Sequence, residues 1–228
     1  MVELIGGLRA QAIRANLERI RADIAVAAER APARRAAGER RAVEILAATK
    51  YVALADLPVL AQAGVRVVGE NRAQDLQAKV AAHGSLFEWD FIGQLQSRRV
   101  RVIAPHVRLI HSLASESALA ELERHVALAR PGLRVLLEVN VAGEPGKAGI
   151  APRDIDAYIA RSAVPVTGLM TMPPAARSPD DSRRWFAALR ELADAHGLPE
   201  LSMGTSQDYL VAVEEGATIV RIGTNLYA

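Results

Sequence analysis

The chain has 228 residues, half of them hydrophobic, enough for one sizeable core with no room for a large second one. Its 28 basic and 26 acidic side chains give a net charge of +2, no strong field at neutral pH. Cysteine is absent, which excludes disulfides, zinc–thiolate sites and cysteine nucleophiles. The longest apolar stretches have the length of a strand, so no membrane-spanning helix is expected. The charged start argues against a signal peptide, and a cytoplasmic protein is the expectation.

The first predicted element is a helix over Leu8–Arg30, with Ile13, Leu17, Ile20 and Ile24 on one stripe. It precedes every strand and is suited to covering the lower end or flank of the sheet. Residues 31–40 read as a charged loop without a hydrophobic face. Strand-like runs then occur at Val43–Thr49, Val65–Gly69, Phe87–Ile92, Val107–Ile110, Arg134–Val141, Val166–Met172, Glu200–Gly204 and Ala217–Ile222. Helices fit between them: about Leu54–Ala63, Asn71 to Gly84, Ser97–Ala104, Ser115 to Arg130, Pro152–Ser162, Pro179–His196 and Ser206–Glu215. Ser115 and Ser178 stand where helix caps belong. Eight strand–helix alternations predict an α/β chain. It is a single (β/α)8 TIM-type barrel over residues 1–228 with an extra N-terminal helix, its site at the carboxyl ends of the strands. An open doubly wound sheet alternates in the same way. It typically has six strands and a glycine fingerprint after the first, where this chain reads Ala-Ala-Thr-Lys-Tyr.

The arginine pairs and clusters at Arg34–Arg35, Arg98–Arg99–Arg101 and Arg183–Arg184 read as solvated surface. None is interleaved with aromatics as a nucleic-acid platform would be.

The strand ends carry the chemistry. Period-two alternation puts Leu46, Ala48 and Lys50 on one face of the first strand. If that face is inward, Lys50 is a partly buried amine suited to covalent attachment to an aldehyde. Alternatively it is a lysine snorkelling at a strand end. Arg221 alternates with Ile219 and Gly223 on the last strand, a neighbour of the first in a closed barrel, and can be functional or part of a structural ion pair. Gly204-Thr205-Ser206 and Gly223-Thr224 come after strands seven and eight, where this fold commonly holds phosphate. Ser206 also reads as the start of a helix. An amine, a phosphate cradle and an arginine between them suit an aldehyde that carries phosphate. Pyridoxal 5'-phosphate meets that description, although a sugar-phosphate aldolase needs the same lysine and phosphate site.

The chain then shows a series of ordered motifs: Ala47-Ala48-Thr49-Lys50, Gly69-Glu70-Asn71-Arg72, Phe91-Ile92-Gly93-Gln94-Leu95-Gln96, His111-Ser112 and Val139-Asn140-Val141. Further on stand Gly168-Leu169-Met170-Thr171-Met172, Leu201-Ser202-Met203-Gly204-Thr205-Ser206-Gln207-Asp208 and Val220-Arg221-Ile222-Gly223-Thr224. In these the chain resembles, over nearly its whole length, the pyridoxal-phosphate homeostasis family, small barrels related to the N-terminal domain of alanine racemase. The resemblance implies that Lys50 holds pyridoxal phosphate as a Schiff base and that Ser206, Gly223 and Thr224 hold its phosphate. It also implies that Arg221 faces the ring nitrogen and that Asn71 and Met203 line the cofactor. Gln94, Thr205 and the 142–146 loop depart from the commonest family pattern.

The same resemblance implies a protein of vitamin B6 and amino-acid homeostasis that carries its cofactor without turnover. An arginine at the ring nitrogen weakens the electron sink that the cofactor otherwise provides. The second base of the racemases comes from a domain for which this sequence has no counterpart. Tyr51 is expected on the opposite face from Lys50, and nothing specific supports Tyr209 or Tyr227. A racemase-like enzyme is the competing expectation. The expected partners are pyridoxal phosphate and, as recipients, apo-enzymes that use it. No nucleic acid, membrane or metal is expected, and the chain is read as a monomer.

Overall fold

The computed structural model describes residues 4–31 and 42–228. Most of the predicted 31–40 loop, with Arg34–Arg35, lies outside them. Eight parallel strands close into a barrel in chain order, the last pairing with the first. They are β1 (Glu44–Ala48), β2 (Val67–Glu70), β3 (Glu88–Phe91), β4 (Leu109–Leu113), β5 (Arg134–Glu138), β6 (Val166–Met170), β7 (Glu200–Thr205) and β8 (Ile219–Ile222). The helices are α1 (Ala10–Glu29), α2 (Leu57–Gln62), α3 (Ala73–His83), α4 (Val100–Ile103), α5 (Glu116–Arg124), α6 (Ile155–Arg161), α7 (Arg183–Ala195), α8 (Tyr209–Glu214) and α9 (Thr224–Tyr227).

Alternation along each strand divides the core in two. Leu46, Val67, Leu109, Leu136, Met170 and Ile219 form a plug inside the barrel. Ala47, Val68, Ile110, Leu137, Leu169, Val220 and Ile222 point outward into the layer beneath the helices. Strands buried on both faces read as near-continuous apolar runs, which makes them visible in the sequence. Register places Leu46 of β1 opposite Arg221 of β8, so the inward arginine stands on the wall next to the strand that leads to Lys50.

The helix α1 packs on the flank, against α8, α9 and α2. Ile13, Leu17, Ile20, Ile24 and Ala27 are buried in the outer core. Asn16 Nδ2 donates to the carbonyls of Leu226 at 3.2 Å and Ala228 at 2.8 Å, tying α1 to α9. Ser115 caps α5 by accepting from the Ala118 N–H, and Ser178 with Asp181 forms a capping box ahead of α7. Arg183 is only partly solvated. It pairs with Glu214 and Glu215 and fastens α7 to the end of α8.

Strand boundaries shift where tertiary partners decide them. The run Val107–Ile110 becomes β4 at Leu109–Leu113, so His111 and Ser112 lie within the strand and are buried. Polar residues are tolerated there because His111 bonds Asp90 and Ser202, and Ser112 donates to the Gly93 carbonyl. The run Arg134–Val141 stops at Glu138, with Val139 making an isolated bridge to Ile150. The helix expected from Ser206 begins at Tyr209.

Candidate cofactor site

A pocket of about 440 Å³ opens at the carboxyl ends of the strands. Lys50, Asn71, Ser206, Arg221, Gly223 and Thr224 all line it, so six of the seven residues marked in the sequence come together. Met203 does not. Its side chain is fully buried among the residues between barrel and helices, because β7 alternates Ser202 inward and Met203 outward.

Lys50 sits in a turn after β1 and is exposed, not partly buried as alternation along an unbroken strand implied. Its ammonium lies 4.6 Å from the centre of the Tyr51 ring, within range of a cation–π contact. The turn also ends the two-residue alternation. Tyr51 therefore lines the pocket together with Lys50 instead of facing away. A buried clamp holds the peptide just before the lysine. Lys79 Nζ donates to the Thr49 carbonyl at 2.7 Å and to Glu70 Oε1 at 2.6 Å, and Thr49 Oγ1 donates to the same oxygen at 2.6 Å.

The predicted anion cradle draws on two loops. Gly204 has φ +89°, and a Cβ there would lie 2.6 Å from Ala212 Cβ, so glycine is required for the turn that presents Thr205 and Ser206. Asp208 steadies the turn by accepting from the Thr205 N–H at 2.8 Å and hydroxyl at 3.1 Å. Across the loop, Ser206 Oγ accepts from the Gly223 N–H at 3.0 Å and the Asn225 N–H at 3.4 Å. The amides that serve this cradle thus come from the loop after β8 and the start of α9, not from the helix after Ser206. The sequence does not predict the short final helix, since its four residues carry no usable periodicity.

Arg221 is buried. Nη1 donates to the Ser202 carbonyl at 2.9 Å and hydroxyl at 2.6 Å, and Nη2 to the Thr171 carbonyl at 3.1 Å and Met172 Sδ at 3.0 Å. It makes no ion pair among the described residues, which removes that reading of it. Desolvation lowers its pKa to about 10, opposed by Glu138 and Asp208, so it remains a cation at neutral pH. Glu138, also in the pocket, is a residue that sequence reasoning missed. Burial pushes its pKa up, with Arg221 and Lys147 pulling the other way. The signal was there: Leu136 and Glu138 share the inward face of an apolar strand.

The other two tyrosines separate. Tyr209 lies on the outer side of the barrel, its hydroxyl 3.4 Å from Asp23. Tyr227 lines the pocket and donates to the Ala48 carbonyl at 3.2 Å. Burial pushes its phenol up, well out of reach of neutral pH.

These residues fit pyridoxal phosphate. An accessible primary amine and a hydroxyl–amide cradle open on one pocket. The carbonyl oxygen of the Asn71 side chain, a pocket-lining residue, is buried without a partner among the described residues and can take a hydrogen bond from a ligand.

The site and the barrel together define a pyridoxal-phosphate-type barrel of the racemase class. Residues 8–228 match the family described as alanine racemase, N-terminal domain. The chain is 40% identical over 204 residues to the pyridoxal phosphate homeostasis protein of Aquifex aeolicus, covering 85% of this chain and 90% of that one. It thus belongs to the pyridoxal phosphate homeostasis protein family within the racemase-domain group. The solved structure of PipY from Synechococcus elongatus PCC7942 with pyridoxal phosphate bound superposes with a TM-score of 0.75. That match has 30% identity and covers 95% of this chain and all of PipY. Alanine racemase of Corynebacterium glutamicum, at 15% identity and TM-score 0.65, shares the fold, and this chain spans 61% of its length.

Proposed function

We propose that this chain binds pyridoxal 5'-phosphate at Lys50 and acts as a carrier and buffer of the cofactor in vitamin B6 and amino-acid homeostasis, without turnover of its own. The observation that carries this reading is the opening of the Lys50 amine and the Ser206–Gly223 cradle onto one pocket. The bound aldehyde supplies covalent attachment to a primary amine. The chain's residues do the rest. Lys50 provides the amine, Ser206 and Thr224 hold the phosphate on the turn that Gly223 fixes through its N–H to Ser206, and Arg221 faces the ring as a fixed donor. The family's naming and the PipY structure support this ligand. Apo-enzymes that need the cofactor are its proposed recipients.

The absence of turnover is inferred from the same residues. Arg221 is a cation at the ring, and it does not supply the proton that an electron sink requires. Tyr227 holds its proton and spends its hydroxyl on a carbonyl. One observation favours a racemase-like enzyme instead: Tyr51 lies beside Lys50 in the pocket.

The decisive experiment is borohydride reduction of the protein with pyridoxal phosphate, then peptide mapping. A pyridoxyl group on Lys50 is expected, and a label on Lys79 or Lys147 instead overturns the assignment. Deuterium exchange at the α-carbon of L-amino acids in heavy water then separates carrier from enzyme. Exchange at about 1–1,000 per second, lost in Lys50→Ala and in Tyr51→Phe, would make it an enzyme.

A further inference from the structure

Inside the barrel, below the pocket, four polar side chains run from β3 across to β8. His111 Nε2 lies 3.1 Å from Asp90 Oδ2, His111 Nδ1 lies 2.8 Å from Ser202 Oγ, and Arg221 Nη1 lies 2.6 Å from the same hydroxyl. Asp90, His111 and Ser202 are sealed from solvent. Arg108 closes the lower end with two hydrogen bonds to Asp90, at 2.9 and 3.0 Å.

Donor and acceptor chemistry sets the direction of every bond. A carboxylate held by an arginine only accepts, so the His111 nitrogen facing it, Nε2, carries a hydrogen. The charged groups around the ring are Asp90 from β3, Arg108 ahead of β4 and Arg221 from β8. Burial outweighs the attraction of Asp90 and pushes the imidazole pKa down, so the ring is neutral and Nδ1 is bare. Nδ1 then accepts the Ser202 hydrogen. That leaves the Ser202 oxygen with lone pairs only, and Arg221 is its donor. All the hydrogens point the same way, from Arg221 through Ser202 and His111 to Asp90.

The consequence falls on the arginine. Three of its four terminal N–H groups end on fixed oxygens: the Ser202 hydroxyl, the Ser202 carbonyl and the Thr171 carbonyl. The fourth ends on the thioether of Met172, a weak acceptor on a residue that is 47% exposed and lines the pocket.

We propose that Ser202 and His111 are positioning residues that hold Arg221 as a fixed donor and leave one of its N–H groups, the one on the Met172 thioether, to be traded for a lone pair of the bound ligand. This rests on pyridoxal phosphate being that ligand, with its ring nitrogen toward Arg221. A neutral ring nitrogen offers the lone pair. A nitrogen bearing a methyl group offers none and brings a positive charge toward a buried guanidinium.

The test compares binding of pyridoxal phosphate and its N1-methyl derivative, which share aldehyde and phosphate, to the parent chain, Ser202→Ala, Ser202→Thr and His111→Gln. The parent is expected to prefer pyridoxal phosphate by about tenfold or more. Ser202→Ala and His111→Gln should reduce the preference to roughly threefold or less, and Ser202→Thr, which keeps the hydroxyl, should retain it. A merely structural role would weaken both ligands alike and leave the ratio unchanged, which overturns the proposal. Side-chain nitrogen NMR of the cofactor-free parent gives a second readout. His111 should be the neutral Nε2–H tautomer and should not titrate between about pH 5 and 8. The opposite tautomer, or titration in that range, overturns the hydrogen-bond chain even where the Ser202 and His111 variants fail to fold. Failure of pyridoxal phosphate to bind the parent overturns the cofactor reading and the positioning role with it. Binding of both ligands without discrimination overturns the positioning role alone.

Discussion

Ser206 and Thr224 mark the cradle at the scale of single residues. The Ser206 oxygen already gathers two backbone N–H groups, so its loss removes a hydroxyl donor and loosens the loop after β8. Ser206→Ala and Thr224→Ala should each weaken pyridoxal phosphate by about 1.5–3 kcal/mol, the worth of a charge-assisted hydrogen bond. Pyridoxal, which lacks the phosphate, should be little affected. Titration of both ligands by fluorescence checks this, and equal losses would remove the hydroxyls from the phosphate contact. Glu138 is a residue-scale test of burial. Its folded pKa is raised, so its contribution to stability is intact below the unfolded value and is lost as pH rises through the folded one. Glu138→Gln removes that loss. The cofactor-free variant should resist urea better than the parent at pH 8, and the difference should vanish toward about pH 4.

At the scale of elements, the turns after the strands matter more than the strands themselves. Gly204→Ala puts a Cβ 2.6 Å from Ala212 and forces a left-handed backbone on alanine. A cost of about 1–3 kcal/mol is expected, with weaker phosphate-dependent binding because Thr205 and Ser206 come directly after it. Ser115→Ala is the contrasting change. It removes the cap of α5 and should cost about 1 kcal/mol in urea unfolding, yet leave cofactor affinity unchanged, since α5 touches no part of the pocket. If both variants lowered affinity alike, the Gly204 turn would have no special link to the cradle.

For the whole molecule, α1 is the piece that binds distant parts together. Ile20 is fully buried in the outer core, and Asn16 holds the carbonyl groups at the end of α9, the helix that starts at Thr224. Ile20→Ala should cost about 2–5 kcal/mol of stability, a transfer term plus a cavity. It should also weaken pyridoxal phosphate measurably, through the loosened seat of α9. Urea unfolding and equilibrium dialysis on the same sample test both parts. Lost stability with unchanged affinity would mean that α9 keeps its place without α1.

Asn71 came from the family resemblance, but the amino-acid sequence by itself determined the eightfold alternation that favours a closed barrel and the placing of Lys50, Ser206, Arg221, Gly223 and Thr224 toward one end. These are local signals, because a buried parallel strand is a short apolar run and the residue after it stands at the rim. The tertiary structure alone decided what depends on partners distant in the chain. Lys50 lies in a turn because β1 ends at Ala48, and Tyr51 joins it there. Met203 faces the helices because β7 presents Ser202 to Arg221. His111 lies within a strand because Asp90 and Ser202, 21 and 91 residues away, satisfy its two nitrogens. Alternation fixes which side chains share a face, but a hydrogen bond is made only when the fold brings both of its ends together. For that reason the donors and acceptors around Arg221 could not be read until the barrel had closed.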